Sequence, residues 1–585
     1  MFHKGFSDAI HKYTSNIQRK LPELKIGLIS NVSLESIFDP FIKLHTSECG
    51  YYPVVSYRRL ESDYKEDERH PDDHEIDVWV LLFRLDGISE KLLGSFWSLS
   101  SSELDTEIFN VTQFTEVVIK DYRNKSKAPI IWISFELPVY SNILSHNGNH
   151  ERNVVNLLNV HIKDKIINTH NAYYLDINRS MEIIGYRNFY DRRLLLLYNI
   201  PFSRDASNQI AFDIAKALRI VQGRRKKCLI LDCDNILWGG VIGEDGLYGI
   251  NLGSSYPGIK YKLFQQEIKN LYKKGILLAL CSKNNESDVM EVFRDHPDMV
   301  IKEEHIITFR INWEEKSTSI ISIAEELRIG LEDIVFIDDS EFEINCVMQR
   351  LPEVTSLHFP ESQALFYKDM LCSTGLFDGQ AITYEDRNRS NMYRDNGMRT
   401  RMATSFDNMV DFYKSLNMDV WVQRGNEFSL QRIAQLSQRT NQFTLTARRY
   451  SEKDIAWLLS NPDYEVITLK FTDSFGEMGI VGVAILRYGE LEATIESLFL
   501  SCRALSRNLE DILLNAIFTM VKTKKIQMVI GENISTNKNG QTNHFYLRRG
   551  FEQIYKKGAV SKYKCLVSNY KEIVVEYIQN INMEF

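Results

Sequence analysis

Short apolar runs alternate with longer amphipathic stretches through the first two thirds of the chain. In these runs almost every residue is hydrophobic, which is typical of strands in a parallel sheet that helices cover on both faces. The rhythm breaks near residue 205 and restarts near residue 227, so we expect two successive α/β units. The predicted strands are 25–30, 77–83, 130–135, 227–231, 275–281 and 334–337.

The last third has a different pattern. From about residue 417, strand-like runs such as 466–470 and 479–485 mix with two or three helices, and a charged helical stretch near 384–415 precedes them. This pattern predicts an α+β domain. Because 585 residues are too many for one hydrophobic core, we expect three domains. Their predicted bounds are 1–221, 222–370 and 371–585.

Composition narrows the function. A formal net charge of −8 disfavours nonspecific nucleic-acid binding, and the short basic run 224–227 is interpreted as solvated surface or a helix end. No apolar run reaches the length of a membrane span, and no signal peptide is recognisable at the start. The eight cysteines include no CxxC pair, which favours a reducing cytoplasm. We therefore expect a soluble cytoplasmic protein without membrane insertion.

Reactive side chains follow three strands of the second unit, where ligands bind at the carboxyl ends of parallel strands. Several carboxylates that meet at one sheet edge repel each other unless a cation neutralises them. Oxygen ligands of this kind are those that Mg²⁺ prefers. The side chains concerned are Asp232, Asp234, Ser282, Lys316, Asp338 and Asp339.

Each of these side chains has an expected role. Asp232 is placed to attack phosphorus, and Asp234 to protonate the leaving oxygen and then deprotonate water. Ser282 and Lys316 would bind the transferring phosphoryl oxygens. The alternative is that the aspartates only cap turns between strands and helices. The expected metal ligands are Asp232, Asp234, Asp338 and Asp339, with Asp234 acting through its backbone carbonyl.

This motif order resembles the haloacid dehalogenase (HAD) superfamily of phosphotransferases. The run DCDNILWGGVIGEDG (232–246), with CSKN (281–284), WEEK (313–316) and FIDDS (336–340), resembles its FkbH-like branch; Ile236 stands where that branch usually has Thr. The resemblance implies acyl thioesters made on carrier proteins from phosphorylated three-carbon donors.

The spacing of the motifs bears on access to the site. Ser282 follows Asp232 by 50 residues, and Asp338 follows Lys316 by 22, which leaves no room for an inserted cap domain. We therefore expect a lidless site. Water exclusion would then depend on a bulky docked substrate, such as a carrier protein, or on a neighbouring domain.

The last third resembles the GNAT acyltransferase fold, in which a loop between a strand and a helix binds a pyrophosphate. Arg503 fits the first position of that loop, but Ser506 and Asn508 stand where glycines let a phosphate approach closely. Acetyl-CoA binding in the usual manner is therefore doubtful. The resemblance also assigns Asn539 and Tyr546 to cofactor binding. The expected cofactor of the chain is Mg²⁺, and for the third region three alternatives stay open: carrier-bound phosphopantetheine, coenzyme A or no cofactor.

Two further features of the last third leave alternatives open. Cys502 precedes a predicted helix and adjoins Arg503, so it could carry an acyl thioester or be a buried packing residue. The segment 435–446 resembles the FkbH-like branch and is polar enough to line a cleft. Its alternative interpretation is a helix followed by a substrate-side loop.

The first domain resembles an SGNH hydrolase, a domain that FkbH-like proteins often carry at this position. Ser30 and Asn31 end its first strand, yet Asp191 is followed three residues later by Leu194 rather than by the expected histidine. Without an imidazole no base activates a serine. We expect this domain to be catalytically silent and used for docking or substrate shielding.

The leading hypothesis is an enzyme that dephosphorylates a small phosphorylated acyl donor and transfers the acyl group to a carrier-protein thiol or another acceptor. A plain phosphomonoesterase with a recognition-only third domain is one alternative. A non-catalytic assembly protein of a polysaccharide or polyketide cluster is the other.

Overall fold

A computed structural model gives the architecture. The part of the chain that it describes consists of residues 21–60, 75–139, 151–223, 225–379, 399, 402, 406, 408–440, 442–501, 504–536 and 539–585. The chain forms two compact units, 1–222 and 223–585, and each is described by itself. No helix among the described residues is both long enough and apolar enough to cross a membrane.

The first unit contains one five-stranded parallel sheet, as the apolar runs predict. Its order is β2-β1-β3-β4-β5, so the chain moves to one side of β1 and then crosses to the other. Its strands are β1 Glu23–Ser30, β2 Tyr52–Arg59, β3 Val78–Leu82, β4 Ile130–Ile133 and β5 Ala172–Leu175. Its helices are α1 Glu35–Glu48, α2 Glu90–Gly94, α3 Ser101–Lys125, α4 Glu151–Asn168, α5 Ile177–Ile184, α6 Tyr186–Phe189, α7 Arg192–Tyr198 and α8 Arg204–Val221.

A second parallel sheet opens the second unit, in the order β10-β9-β6-β7-β8. Its three central strands are almost wholly apolar, as expected for strands that helices cover on both faces. The strands are β6 Cys228–Leu231, β7 Leu277–Ser282, β8 Ile306–Ile311, β9 Ile334–Asp338 and β10 Thr355–His358. The helices are α9 Ile242–Asp245, α10 Ile259–Lys273, α11 Glu286–Asp295, α12 Lys316–Leu327, α13 Glu341–Arg350 and α14 Tyr367–Ser373. Across 225–379 no cap is inserted, which confirms the lidless prediction.

The rest of the second unit is α+β, with a mixed sheet ordered β17-β18-β16-β15-β14-β13-β11-β19; β12 pairs with β15 beside this path. The strands are β11 Met418–Arg424, β12 Phe443–Thr444, β13 Tyr464–Asp473, β14 Gly476–Tyr488, β15 Glu492–Leu500, β16 Met528–Ile534, β17 Glu552–Lys557, β18 Val560–Leu566 and β19 Ile578–Glu584. The helices are α15 Met409–Ser415, α16 Glu427–Arg439, α17 Glu452–Ser460 and α18 Leu509–Thr523. Most of the predicted helical stretch 384–415 lies outside the described residues.

Gly223, which lies just before the second sheet, is close to the third region. A side chain at Gly223 would lie 3.1 Å from the backbone oxygen of Gln438. Gly223 precedes β6, so this contact lies at the edge where the parallel strands begin. The reactive side chains follow the strands and therefore lie at the opposite edge.

Candidate functional site

In the second sheet, the side on which successive strands are added reverses between β6 and β9, and such a switch point opens a crevice for ligands. Asp232 is the first residue after β6, and its amide donates to the carbonyl of Ile337 at 3.0 Å. Asp338 is the last residue of β9. The sheet register therefore brings the two aspartates to the same edge, as the sequence predicts.

Three carboxylates form the centre of this site. Asp232, Asp338 and Asp339 each offer an oxygen, and these oxygens all lie within 4.8 Å of one another. Burial, reinforced by the charge of Asp232, raises the pKa of Asp338 to about 7, although Lys316 opposes the rise. The same two causes raise the pKa of Asp339. The cluster thus concentrates more negative charge than its protein surroundings stabilise.

Lys316 is the cation of the site. It begins α12, its side chain is 5% exposed, and its Nζ lies 2.5 Å from Oδ2 of Asp338 and 3.2 Å from Oδ2 of Asp232. Burial opposes the ammonium form, but the two carboxylates outweigh it and raise the pKa of Lys316. The lysine therefore stays charged and offsets part of the acidic cluster.

The residues present fit a divalent cation. Oδ1 of Asp232 is buried and has no hydrogen-bond partner among the described residues, which is costly unless a ligand occupies the space before it. The nearby donors are carboxylate oxygens, the hard ligands that Mg²⁺ prefers. Asp232, Asp338 and Asp339 match the predicted ligand set. The carboxylate of Asp234 does not belong to this cluster, which leaves its backbone carbonyl as the predicted ligand.

Asp234 points into a separate hydrogen-bond network. Its Oδ1 accepts from Nε1 of Trp238 at 2.9 Å and from the amide of Ile242 at 3.1 Å. Its Oδ2 accepts from Nδ2 of Asn284 at 2.9 Å, and the same Nδ2 lies 3.1 Å from Oγ of Ser282. Burial raises the pKa of Asp234, and these hydrogen bonds oppose the rise. Asn284 thus links Asp234 to Ser282.

Other residues that support the site lie outside the predicted set. Asn235 has a φ of 56°, donates to Oδ2 of Asp339 at 3.2 Å and accepts from the amide of Gly240 at 2.9 Å. His358 Nε2 donates to the carbonyl of Asp339 at 2.8 Å. Asn235 lies three residues after Asp232, inside the motif 232–246, so the sequence could have indicated its role at the site. His358 ends a strand 19 residues after Asp339 and gives no such signal.

A short internal strand fills a gap in the third region. β15 and β16 pair in parallel only as far as Ile495 and Gly531. Beyond that point β12 pairs with β15, the amide of Leu445 donates to the carbonyl of Leu498 at 3.0 Å, and the amide of Ile534 donates to the carbonyl of Leu445 at 2.7 Å. The segment 443–445 therefore occupies the space between the two strands. Within 435–446 the described residues comprise the end of the helix Glu427–Arg439 and the two-residue strand Phe443–Thr444.

The predicted cofactor residues of the third region are placed as follows. Asn539 is fully buried, and its Nδ2 donates to the carbonyls of Thr444 at 2.8 Å and Ile534 at 2.9 Å. Tyr546 is 1% exposed and packs against Gly531. Ser506 and Asn508 both have positive φ, at 68° and 51°. Burial gives Asn539 and Tyr546 a structural role, and a cofactor role for all four stays a prediction.

The other predicted residue pair of the third region, Cys502 and Arg503, lies outside the described residues.

In the first domain, Ser30 is 2% exposed and its Oγ accepts from the amide of Val32 at 3.1 Å. Asp191 caps α7 by accepting from the amides of Arg193 and Leu194. These contacts are structural, and they leave the predicted catalytic silence of the domain as a prediction.

Fold and site together define the class of protein: an α/β protein with an HAD-like parallel sheet that has no cap and carries a carboxylate cluster with a buried lysine at its switch point. No protein-family model and no curated protein matches the sequence.

Among solved structures, the chain is similar to the N-terminal part of the protein BF1531 from Bacteroides fragilis, which contains a phosphatase domain complexed with Mg. The identity is 26%, the match covers 64% of this chain and 98% of that one, and the TM-score is 0.54.

Two acetyltransferases match a smaller part of the chain. They are the ribosomal-protein-S18-alanine N-acetyltransferase from Escherichia coli (16% identity, TM-score 0.22) and the spermidine N-acetyltransferase from Vibrio cholerae in complex with CoA and spermine (14%, 0.21). Each match covers 26% of this chain and 98% of the other. These scores are too low to carry an argument, so the third region is described by its own strands.

Proposed function

We propose that the chain is a Mg²⁺-dependent phosphatase or phosphotransferase of the HAD type. The observation that carries the proposal is a cluster of three carboxylates, two of which contact a buried lysine, with Oδ1 of Asp232 free of any hydrogen-bond partner in the described chain. The similarity to a Mg-complexed phosphatase domain supports the same conclusion.

In this proposal the carboxylates of Asp232, Asp338 and Asp339 and the backbone carbonyl of Asp234 would hold Mg²⁺, and Asp338 would also orient Lys316. A bound Mg²⁺ would neutralise the carboxylates and the phosphoryl oxygens.

Asp232 and Asp234 divide the chemistry. A carboxylate oxygen of Asp232 attacks phosphorus, the bond from phosphorus to the leaving oxygen breaks, and Asp234 gives that oxygen a proton. Asp234 then takes a proton from water, the hydroxide attacks the phosphorus, and Asp232 is released with inorganic phosphate. Burial of Asp234 raises its pKa, which suits a group that begins the cycle as an acid. Ser282 and Lys316 bind the phosphoryl oxygens through both steps.

The substrate proposal rests on the resemblance to FkbH-like proteins. We propose a phosphorylated three-carbon acyl donor whose acyl group passes to a carrier-protein thiol, either directly or through Cys502. The motif runs 232–246, 281–284, 313–316 and 336–340 support it.

A specific observation favours the simpler alternative, a phosphomonoesterase with a recognition-only third region. Segment 443–445 fills the gap between β15 and β16, and Asn539 is bound to it. An extended thioester arm would have to displace this strand before it could use the same backbone groups. A non-catalytic assembly protein is a third candidate, but every motif residue of the acidic site is present.

The discriminating experiment uses intact mass spectrometry. The protein is incubated with Mg²⁺ and a panel of three-carbon phosphates, with and without a holo carrier protein, and both proteins are weighed. An acyl adduct on the carrier supports transfer, whereas phosphate release alone supports the phosphomonoesterase. Retention of both activities in Asp232→Asn would refute the nucleophile, and full acyl transfer by Cys502→Ala would refute the enzyme thioester.

A further inference from the structure

The first sheet has a switch point of its own, between β1 and β3. Asn31 follows β1 and Arg84 lies two residues after β3. The side-chain Nδ2 of Asn31 donates to the backbone carbonyl of Arg84, and the backbone amide of Arg84 donates to Oδ1 of Asn31, both at 2.8 Å. This reciprocal pair fixes the backbone from which the Arg84 side chain leaves. Asn31 is the first residue after the strand at this switch point, as Asp232 is in the second sheet.

A buried ionic cluster stands at this point. The side chains of Arg84 and Glu136 are 11% and 9% exposed, and Nε of Arg84 lies 3.6 Å from Oε1 of Glu136, too far for a hydrogen bond. Oδ2 of Asp86 forms an ion pair with Nη2 of Arg84 at 2.9 Å. The guanidinium also lies 5.6 Å from the ring centre of Tyr190.

Three atoms of the cluster are left without hydrogen-bond partners in the described chain: Nε and Nη1 of Arg84 and Oε1 of Glu136. Buried guanidinium and carboxyl groups without hydrogen bonds are costly, and a ligand that supplied the missing bonds would remove that cost. Burial raises the pKa of the Glu136 carboxyl, and the charge of Arg84 opposes the rise.

We infer that Arg84 and Glu136 form a second binding site, for a short hydroxy acid. The unpartnered Nε of Arg84 can donate to one carboxylate oxygen, and Oε1 of Glu136, 3.6 Å from that Nε, can accept from a neighbouring hydroxyl group. Because both side chains are about nine-tenths buried, the ligand is small. This inference does not depend on phosphatase activity in the second sheet.

The test is isothermal titration calorimetry on the full-length chain carrying Asp232→Asn, which disables the acidic site. The probes are glycerate and lactate, with propionate, glycerol and inorganic phosphate as comparisons. We expect saturable binding of the two hydroxy acids, weakened at least tenfold when Glu136→Gln or Arg84→Lys is added. Glu90→Gln, an exposed carboxyl of the same unit, should leave it unchanged.

Three outcomes would overturn the inference: no saturable binding of either hydroxy acid, equal binding by all variants, or saturable binding of phosphate alone. The first would mean that the cluster holds only water. Thermal melts accompany each titration. If Arg84→Lys does not fold, Glu136→Gln decides, because it keeps the shape of the side chain and changes only its charge and one oxygen.

Discussion

The Lys316 ammonium lies 2.5 Å from Oδ2 of Asp338, so the first residue of α12 neutralises the last residue of β9. The pair places a positive charge 3.2 Å from Oδ2 of Asp232. Both side chains are at least 95% buried. Loss of the Lys316 charge should therefore affect both the chemistry of the site and the stability of the domain.

Lys316→Met tests this expectation. We expect phosphatase activity to fall about 100- to 1000-fold, since a donor to the phosphoryl oxygens is lost. Removal of one partner from a buried ion pair costs about 3–5 kcal/mol, so the unfolding free energy should fall too. Kinetic assays and urea denaturation measure the two effects. Lys283→Gln, which removes a half-buried lysine paired with Glu343, is the matched control. Equal losses in both variants would contradict the role of Lys316.

The acidic cluster predicts a pH-dependent response to Mg²⁺. Burial and the charge of Asp232 raise the folded-state pKa of Asp338 to about 7, above the unfolded value near 4. The metal-free protein therefore loses stability as pH rises from about 4 to about 7, because its carboxyl groups must lose protons that the fold retains. Mg²⁺ binds the deprotonated groups and reverses that loss.

Consequently, the gain in melting temperature on adding saturating MgCl₂ should be larger at pH 8 than at pH 5. Thermal melts with and without Mg²⁺ at several pH values measure it, and Asp339→Asn should reduce the gain. A gain that does not vary with pH would show that these carboxylates are not the ligands.

The sequence predicts the acidic site better than it predicts the rest of the molecule. Apolar strands force Asp232 and Asp338 to a common edge, so the main chain alone brings them together. The roles of His358 and Asn539 depend on where loops return in space, which no local pattern contains. The strand 443–444 has only two residues and gives no periodic signal, which is why a loop is the natural expectation there.

Asp234→Asn separates acid catalysis from nucleophilic attack. Loss of the general acid should slow hydrolysis of an alkyl phosphate about 100- to 10,000-fold. An aryl phosphate with a good leaving group needs no proton in the first step, so its aspartyl-phosphate should form faster than it breaks down. Rapid-quench measurement of the phosphoenzyme, followed by its decay, tests this. Asp232→Asn, which forms no phosphoenzyme, is the control. Equal slowing of formation for both substrates would remove Asp234 from the acid role.

The filled gap in the third region predicts that acetyl-CoA does not bind there in the native fold. The carbonyl of Leu498 and the amide of Ile534 are already bonded to Leu445, so a thioester arm finds those backbone groups taken. Asn539→Ala should loosen the strand, because the buried side chain loses the two hydrogen bonds that it donates and the two that it accepts from Thr536; the donated pair alone is worth about 2–3 kcal/mol.

Hydrogen–deuterium exchange should then show faster exchange at 443–446 in Asn539→Ala than in the wild type, with the second sheet unchanged. Asn461→Ala, at the end of α17, is a matched control outside the gap. Calorimetry with acetyl-CoA should give no saturable heat for the wild type. Tight binding by the wild type, with protection of 443–446 unchanged, would show that the cofactor uses another surface and that the strand does not block it.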